Sequence, residues 1–317
     1  HRPLAEPQVI GRLFQAGGRV TSLLPPGLRY AAARAGGAVS YGVLPALRRQ
    51  ALENYAGVLH QPVGSPEVRR VAREAVVGYT KLIADFLMLP QLSRDEVMRM
   101  VDWRGWENIQ GALAGGKGAI VVTPHFGNWD MAAAAAAARG LKVTAVTDHY
   151  GDEDLNQRVT AARERMGVNV VPLSAAAGRA SLAALRRNEI VALVCDLAKD
   201  GRNVPVLVCG QQVMVPAGPA VMALVSGAPV VPMMCRRLPD NRYLLEVQSA
   251  IAFEPSGDRD ADTQALAQAI MSRFEPELLR RPEQWYLFSP MWVGEAPPSA
   301  VTPVSPPGAA EGALVAR

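Results

Sequence analysis

The stretch Ala119-Ile-Val-Val-Thr-Pro-His-Phe-Gly-Asn-Trp-Asp-Met131 decides how this 317-residue chain is read. Ile120 to Val122 is a β-branched run preceded by the glycines of 115–118, the pattern of a buried strand. Pro124 ends the strand, and Gly127-Asn128 supplies a turn. Asn128 is placed to cap a helix running through the alanines from Trp129 to about Arg139. His125 therefore falls at the mouth of a strand–turn–helix unit. Asp130 lies in the first helical turn, where its charge suits the helix dipole. Folded back onto the loop, that carboxylate would hold the imidazole in one tautomer, as a general-base histidine requires.

Spacing alone is weak support for such a pair. Four histidines and 29 acidic residues in 317 positions give about 0.4 chance occurrences of this separation. The setting adds more, because open α/β sheets bind ligands at the carboxyl ends of their strands. A histidine satisfied within the loop beside an ordinary first-turn aspartate fits the same pattern, and the residues leave both readings open.

Working outward, apolar runs near 119–123, 142–147, 168–172, 190–195, 204–208, 229–235 and 243–249 read as strands. Helical patterns fall near 129–139, 154–166, 178–188, 217–226 and 260–280. This alternation predicts an α/β fold, a central mostly parallel sheet flanked by helices. Before it, Ser65-Pro66 opens a helix carrying Val68, Val71, Ala75, Val76, Tyr79, Ile83 and Phe86 on one face, and Ser93 to Glu96 spells a capping box. Residues 1–60 mix apolar clusters with arginines and have no acid between Glu6 and Glu53. They read as an amphipathic helical segment that either lies on an anionic bilayer or packs on the main domain, 61–293, with a solvated basic face. The tail 294–317, rich in Pro and Ala, reads as disordered.

Composition excludes several classes. Net charge is +4 with a pI near 9.1, which favours anionic partners, yet no dense basic run or aromatic RNA-binding motif points to nucleic acid. The cysteines at 195, 209 and 235 lack metal-ligand spacing and sit among apolar residues, as buried reduced thiols do. The histidines are isolated from one another, so no metal is expected. Gly111 to Gly118 approaches a P-loop, but Gly118 stands where Ser or Thr is required, and the glycines precede the strand. No Gly-x-Ser-x-Gly elbow or strand-following Gly-x-Gly-x-x-Gly is present. The weakly polar run from Ala35 to Leu47 is too short to span a bilayer.

Taken together, several blocks resemble the lysophospholipid acyltransferase superfamily, in particular the branch of lipid A late acyltransferases and phosphatidylinositol mannoside acyltransferases. They are Gly115 to Asp130, Arg163-Glu-Arg-Met-Gly167 with Pro172, Val215-Pro-Ala-Gly-Pro-Ala220, Gly227-Ala-Pro-Val-Val-Pro232 and Arg281-Pro-Glu-Gln-Trp285, in the family's order. The resemblance implies a glycerolipid-acyltransferase-like fold and an O-acyltransferase in which His125, oriented by Asp130, is the general base. The acyl group would come from acyl-CoA or acyl carrier protein as co-substrate, with no cofactor, and pass to a glycolipid or glycosylated phospholipid. Backbone amides of the Phe126–Trp129 turn, with Gly127 and Asn128 at its centre, are expected to receive the oxyanion. Asp148 and Arg163 match positions where the mannoside branch carries charges near its site, and Arg163 suits a donor phosphate. Where relatives carry two acids around one intervening residue, this chain has Val194-Cys195-Asp196, leaving Asp196 to serve the acceptor sugar or the histidine. The segment after Trp285 lacks the basic residues of the lipid A enzymes, which favours a glycosylated phospholipid. The implied location is peripheral, on the cytoplasmic side of the inner membrane. A non-catalytic lipid-binding relative and an acyl-thioester hydrolase are the alternative readings.

Overall fold

The computed structural model describes residues 24–148, 153–174, 176–198 and 201–293. The first 23 residues of the amphipathic segment and the tail from 294 lie outside the described residues. Strands β1 (Val101–Arg104), β2 (Ala119–Thr123), β3 (Val143–Thr147), β4 (Val168–Pro172), β5 (Ile190–Val194), β8 (Val230–Arg237) and β9 (Tyr243–Val247) form one sheet. Its order is β1-β9-β8-β2-β5-β3-β4. Every neighbouring pair is parallel except β8–β9. The five residues between those two strands are too few for a crossover, so an antiparallel pair is the available solution. The α/β expectation thus holds.

Two details differ from the sequence reading. The strand expected over 204–208 belongs to no parallel sheet: β6 (Asn203–Val208) pairs antiparallel with β7 (Gln211–Pro216) as a separate ribbon. Its two-residue turn puts Cys209 at φ 50° and Gly210 at φ 67°, the backbone of a tight hairpin. Cysteine is not a residue that advertises such a turn, so β7 went unforeseen. The edge strand β1 was likewise not expected.

All five residues of β2 are buried, because helices cover both faces of the sheet. On one face Ile120 and Val122 join Ile270, Met271 and Phe274 of α10 (Arg259–Arg280) in a single apolar cluster. On the other face Ala119 and Val121 meet Ile109 of α5 (Trp106–Ala114) and Ala133 and Ala136 of α6 (Trp129–Ala138). The Ser65 hydroxyl caps α3 (Pro66–Met88), and Ser93 and Glu96 close the expected capping box of α4 (Arg94–Met100). Ile83 departs from its expected buried face on α3 and is exposed.

Ahead of α3 come α1 (Pro26–Val43) and α2 (Pro45–Leu59). Asn54 of α2 donates to the carbonyls of Leu287 and Ser289 at 2.9 and 2.8 Å, fastening the segment that follows α10. Among the described residues no helix is long and apolar enough to cross a membrane. The three cysteines are free and buried, as expected.

Candidate active site

Asn128 caps α6: its side-chain oxygen accepts from the Met131 amide at 2.9 Å. The turn before it is wedged against β8. Gly127 has φ +59°, and a Cβ there would lie 1.9 Å from the Cys235 carbonyl oxygen, so only glycine fits. The Asn128 amide donates to that same carbonyl at 2.9 Å. On the other side the segment after α10 closes over the turn. Gly127 N–H donates to the Gln284 carbonyl at 2.9 Å, and Tyr286 N–H donates to the His125 carbonyl at 2.8 Å.

The carboxylate holding His125 is Asp196. Its Oδ1 lies 2.6 Å from His125 Nδ1, while Oδ2 accepts from the His125 backbone amide at 3.0 Å and from Trp285 Nε1 at 2.7 Å. Asp196 is fully buried. Burial alone would raise its pKa, but the adjacent His125 ring and the donors from His125 and Trp285 outweigh it and hold the pKa below the ordinary carboxylate value. The His125 side chain is 23% exposed, and with Nδ1 turned to Asp196 the opposite ring edge, Nε2, is left for a reacting group.

Asp130, expected to orient the ring, instead takes a two-pronged ion pair from Arg163 of α7 (Glu153–Arg165), at 2.7 Å from Nε and 3.3 Å from Nη2. The reason is geometric. The register pairs Thr123 with Val194 at the carboxyl ends of β2 and β5, and His125 and Asp196 each lie two residues beyond. Equal overrun from adjacent parallel strands brings the two together, whereas Asp130 has already turned into α6. Two apolar runs, each followed at the same offset by a polar residue, were the signal available in the sequence.

The expected oxyanion donors need a similar correction. The amides of Phe126, Gly127 and Asn128 donate to the carbonyls of Pro124, Gln284 and Cys235. Of the Phe126–Trp129 set, only the Trp129 amide, at the first helical position, has no partner among the described residues.

His125 opens onto a cavity of about 800 Å³, within the range of ligand sites. Asp130, Asp148 and Arg163 line it, as does Val194, the position where an acid is missing. Asp196, Gly127 and Asn128 stand behind the wall and position what lines it. The far part is apolar, with Ala132, Ala133 and Ala136 of α6 facing Val143, Val168 and Ile190 of the sheet. An aromatic rim that the sequence reading did not foresee borders the histidine. Trp129 meets its ring edge-on at 5.1 Å, and Tyr286 packs against Trp129 at 6.3 Å and against Tyr79 of α3 at 5.4 Å. Among the described residues no cluster of metal-ligating side chains occurs.

A half-buried imidazole on a buried carboxylate, at the head of an apolar cavity, is equipped to take a proton from a hydroxyl beside a long aliphatic chain. Comparison with known proteins gives the chain a family. A phosphatidylinositol mannoside acyltransferase of Mycobacterium tuberculosis (strain CDC 1551 / Oshkosh) is 29% identical over 252 residues, 78% of this chain and 77% of that protein. One from Mycolicibacterium smegmatis (strain ATCC 700084 / mc(2)155) is 28% identical over 299 residues, 91% of this chain and 93% of that one. The family model for bacterial lipid A biosynthesis acyltransferase matches residues 7–293. The chain belongs to that family and is an acyltransferase.

Proposed function

We propose that the enzyme transfers a long-chain fatty acyl group from a thioester, acyl-CoA or acyl carrier protein, to a hydroxyl of a glycosylated phospholipid. The observation carrying this reading is the His125–Asp196 pair at the mouth of a deep apolar cavity. His125 Nε2 removes the acceptor proton as the hydroxyl oxygen attacks the thioester carbonyl. The tetrahedral oxyanion collapses, expelling the thiolate, and the imidazolium returns the proton to sulfur. Asp196 fixes the tautomer throughout and balances the transient positive charge. The Trp129 amide is the available backbone donor to the oxyanion. The acyl chain lies against the alanines of α6, where small side chains leave room for it.

The two relatives named as phosphatidylinositol mannoside acyltransferases favour a glycosylated phospholipid acceptor. Leu28, Val39, Val43 and Leu44 are exposed on α1 and its link to α2, together with Arg34 and Arg49. This apolar and basic combination suits peripheral seating on an anionic bilayer, at the cytoplasmic face of the inner membrane.

The test is mass spectrometry of total lipids from the host, comparing the native gene with a His125→Ala copy. One lipid class lacking a single acyl chain supports the reading and names the acceptor. An unchanged profile with the variant expressed and folded overturns it.

A further inference from the structure

Asp85 of α3 is 2% exposed and lies outside the cavity wall. Three donors converge on its carboxylate. Tyr30 of α1 donates at 2.7 Å to Oδ1, while Arg237 of β8 and the Tyr243 hydroxyl of β9 both donate to Oδ2. The Arg237 guanidinium lies over the Tyr243 ring at 4.8 Å and balances the carboxylate's charge. Burial first, and then the neighbouring Asp85, push the Tyr243 pKa well above its ordinary value, so its hydroxyl keeps its proton.

The chain of bonds has a direction. Having given its only proton to Asp85, the Tyr243 oxygen accepts from Asn128 Nδ2 at 3.0 Å. That orients the Asn128 amide so that its oxygen faces the Met131 N–H. A second route ends at the same turn. Gln284 grips the Arg237 backbone through both its N–H and its carbonyl, at 2.8 and 3.0 Å, and its own carbonyl takes the Gly127 amide. Both routes run from Asp85 to the residues that follow His125. Arg237 Nε and Nη1 have no hydrogen-bond partner among the described residues, but every link along the two routes is made, and a buried chain of bonds of this kind restrains what it touches.

We propose that Asp85 is a positioning residue: acting through the Tyr243 hydroxyl on Asn128, it holds the His125–Asn128 turn in its working register. The consequence for turnover rests on the acyl-transfer reading above; the consequence for the turn does not.

Two variants test it in the full chain, Tyr243→Phe, which deletes the relaying hydroxyl and little else, and Asp85→Asn. Hydrogen exchange followed by mass spectrometry is read over residues 124–131 and over 266–278 of the α10 core, beside acyl-transfer kinetics. The expected result is exchange at least tenfold faster over 124–131 with 266–278 unchanged, and a tenfold or greater fall in kcat with the donor KM unchanged. Native exchange over 124–131 in Tyr243→Phe overturns the proposal, and so does equal acceleration of both segments, which marks general destabilisation. Selective acceleration over 124–131 in a protein whose native form transfers no acyl group upholds the positioning role and removes the acyl-transfer reading instead.

Discussion

Asp196→Asn separates the carboxylate that holds the histidine from the one its sequence spacing suggests. Two of the three groups on Asp196, the His125 amide and Trp285 Nε1, are obligate donors, and both address Oδ2. In the variant the amide oxygen must therefore occupy that position, which turns the new NH₂ toward His125 Nδ1. Nδ1 must then accept, and the ring proton moves to Nε2, the atom required as base. Two hydrogen bonds survive, so the fold is disturbed little, but the base is in the wrong tautomer. The same swap in a serine-protease triad costs roughly 10⁴ in kcat, and about 10³–10⁴ is expected here, equivalent to ~4–5.5 kcal/mol of barrier. The assay is acceptor-dependent release of thiol from acyl-CoA, with circular dichroism to verify folding. Asp130→Asn is the control, because that carboxylate bonds Arg163 and not the ring. If folded Asp196→Asn keeps kcat within tenfold of the native value, the assignment of Asp196 is refuted.

Replacing Arg163 by Ala strands a 6%-exposed Asp130 carboxylate, and denaturant unfolding should register a loss of about 3–5 kcal/mol. Gly127→Ala drives a Cβ into the Cys235 carbonyl at positive φ, so a stability loss above roughly 3 kcal/mol is expected; a melting temperature within a degree of native would contradict that geometry. Ala136→Phe fills the apolar cavity and should shift donor preference to shorter chains. Each excluded methylene costs about 0.8 kcal/mol, roughly fourfold in kcat/KM, so an unchanged preference would place the acyl chain elsewhere. Because the folded Asp196 pKa is depressed, its stabilisation is present above the unfolded value of about 3.9 and lost as pH falls through the folded one. Acid titration should therefore destabilise the native protein more steeply below about pH 4 than Asp196→Asn, and parallel curves would remove that linkage.

What sequence made legible was local. The β-branched run, the Asn128 cap and the Ser93–Glu96 capping box depend on neighbours within a few residues, and each took its expected form. The mostly parallel sheet followed from alternation, because helices of that length must cross between parallel strands. The partner of His125 was harder. Asp130 is near in sequence, but α6 carries it toward Arg163, while Asp196 is brought in by the register of β2 against β5. The Phe126–Trp129 amides were a sound expectation for a helix start, and tertiary contacts with Cys235 and Gln284 consumed two of the four. The β6–β7 ribbon hid behind a cysteine at a left-handed turn position.

The histidine, its aspartate and the tryptophan that braces it are 71 and 89 residues apart along the chain, and the last of them follows the final long helix. The complete set of bonds on Asp196 therefore needs the segment around Trp285, which Asn54 of α2 fastens through the Leu287 carbonyl. Under the acyl-transfer proposal, a chain cut short before Trp285 lacks one of the donors that hold Asp196 and should turn over poorly.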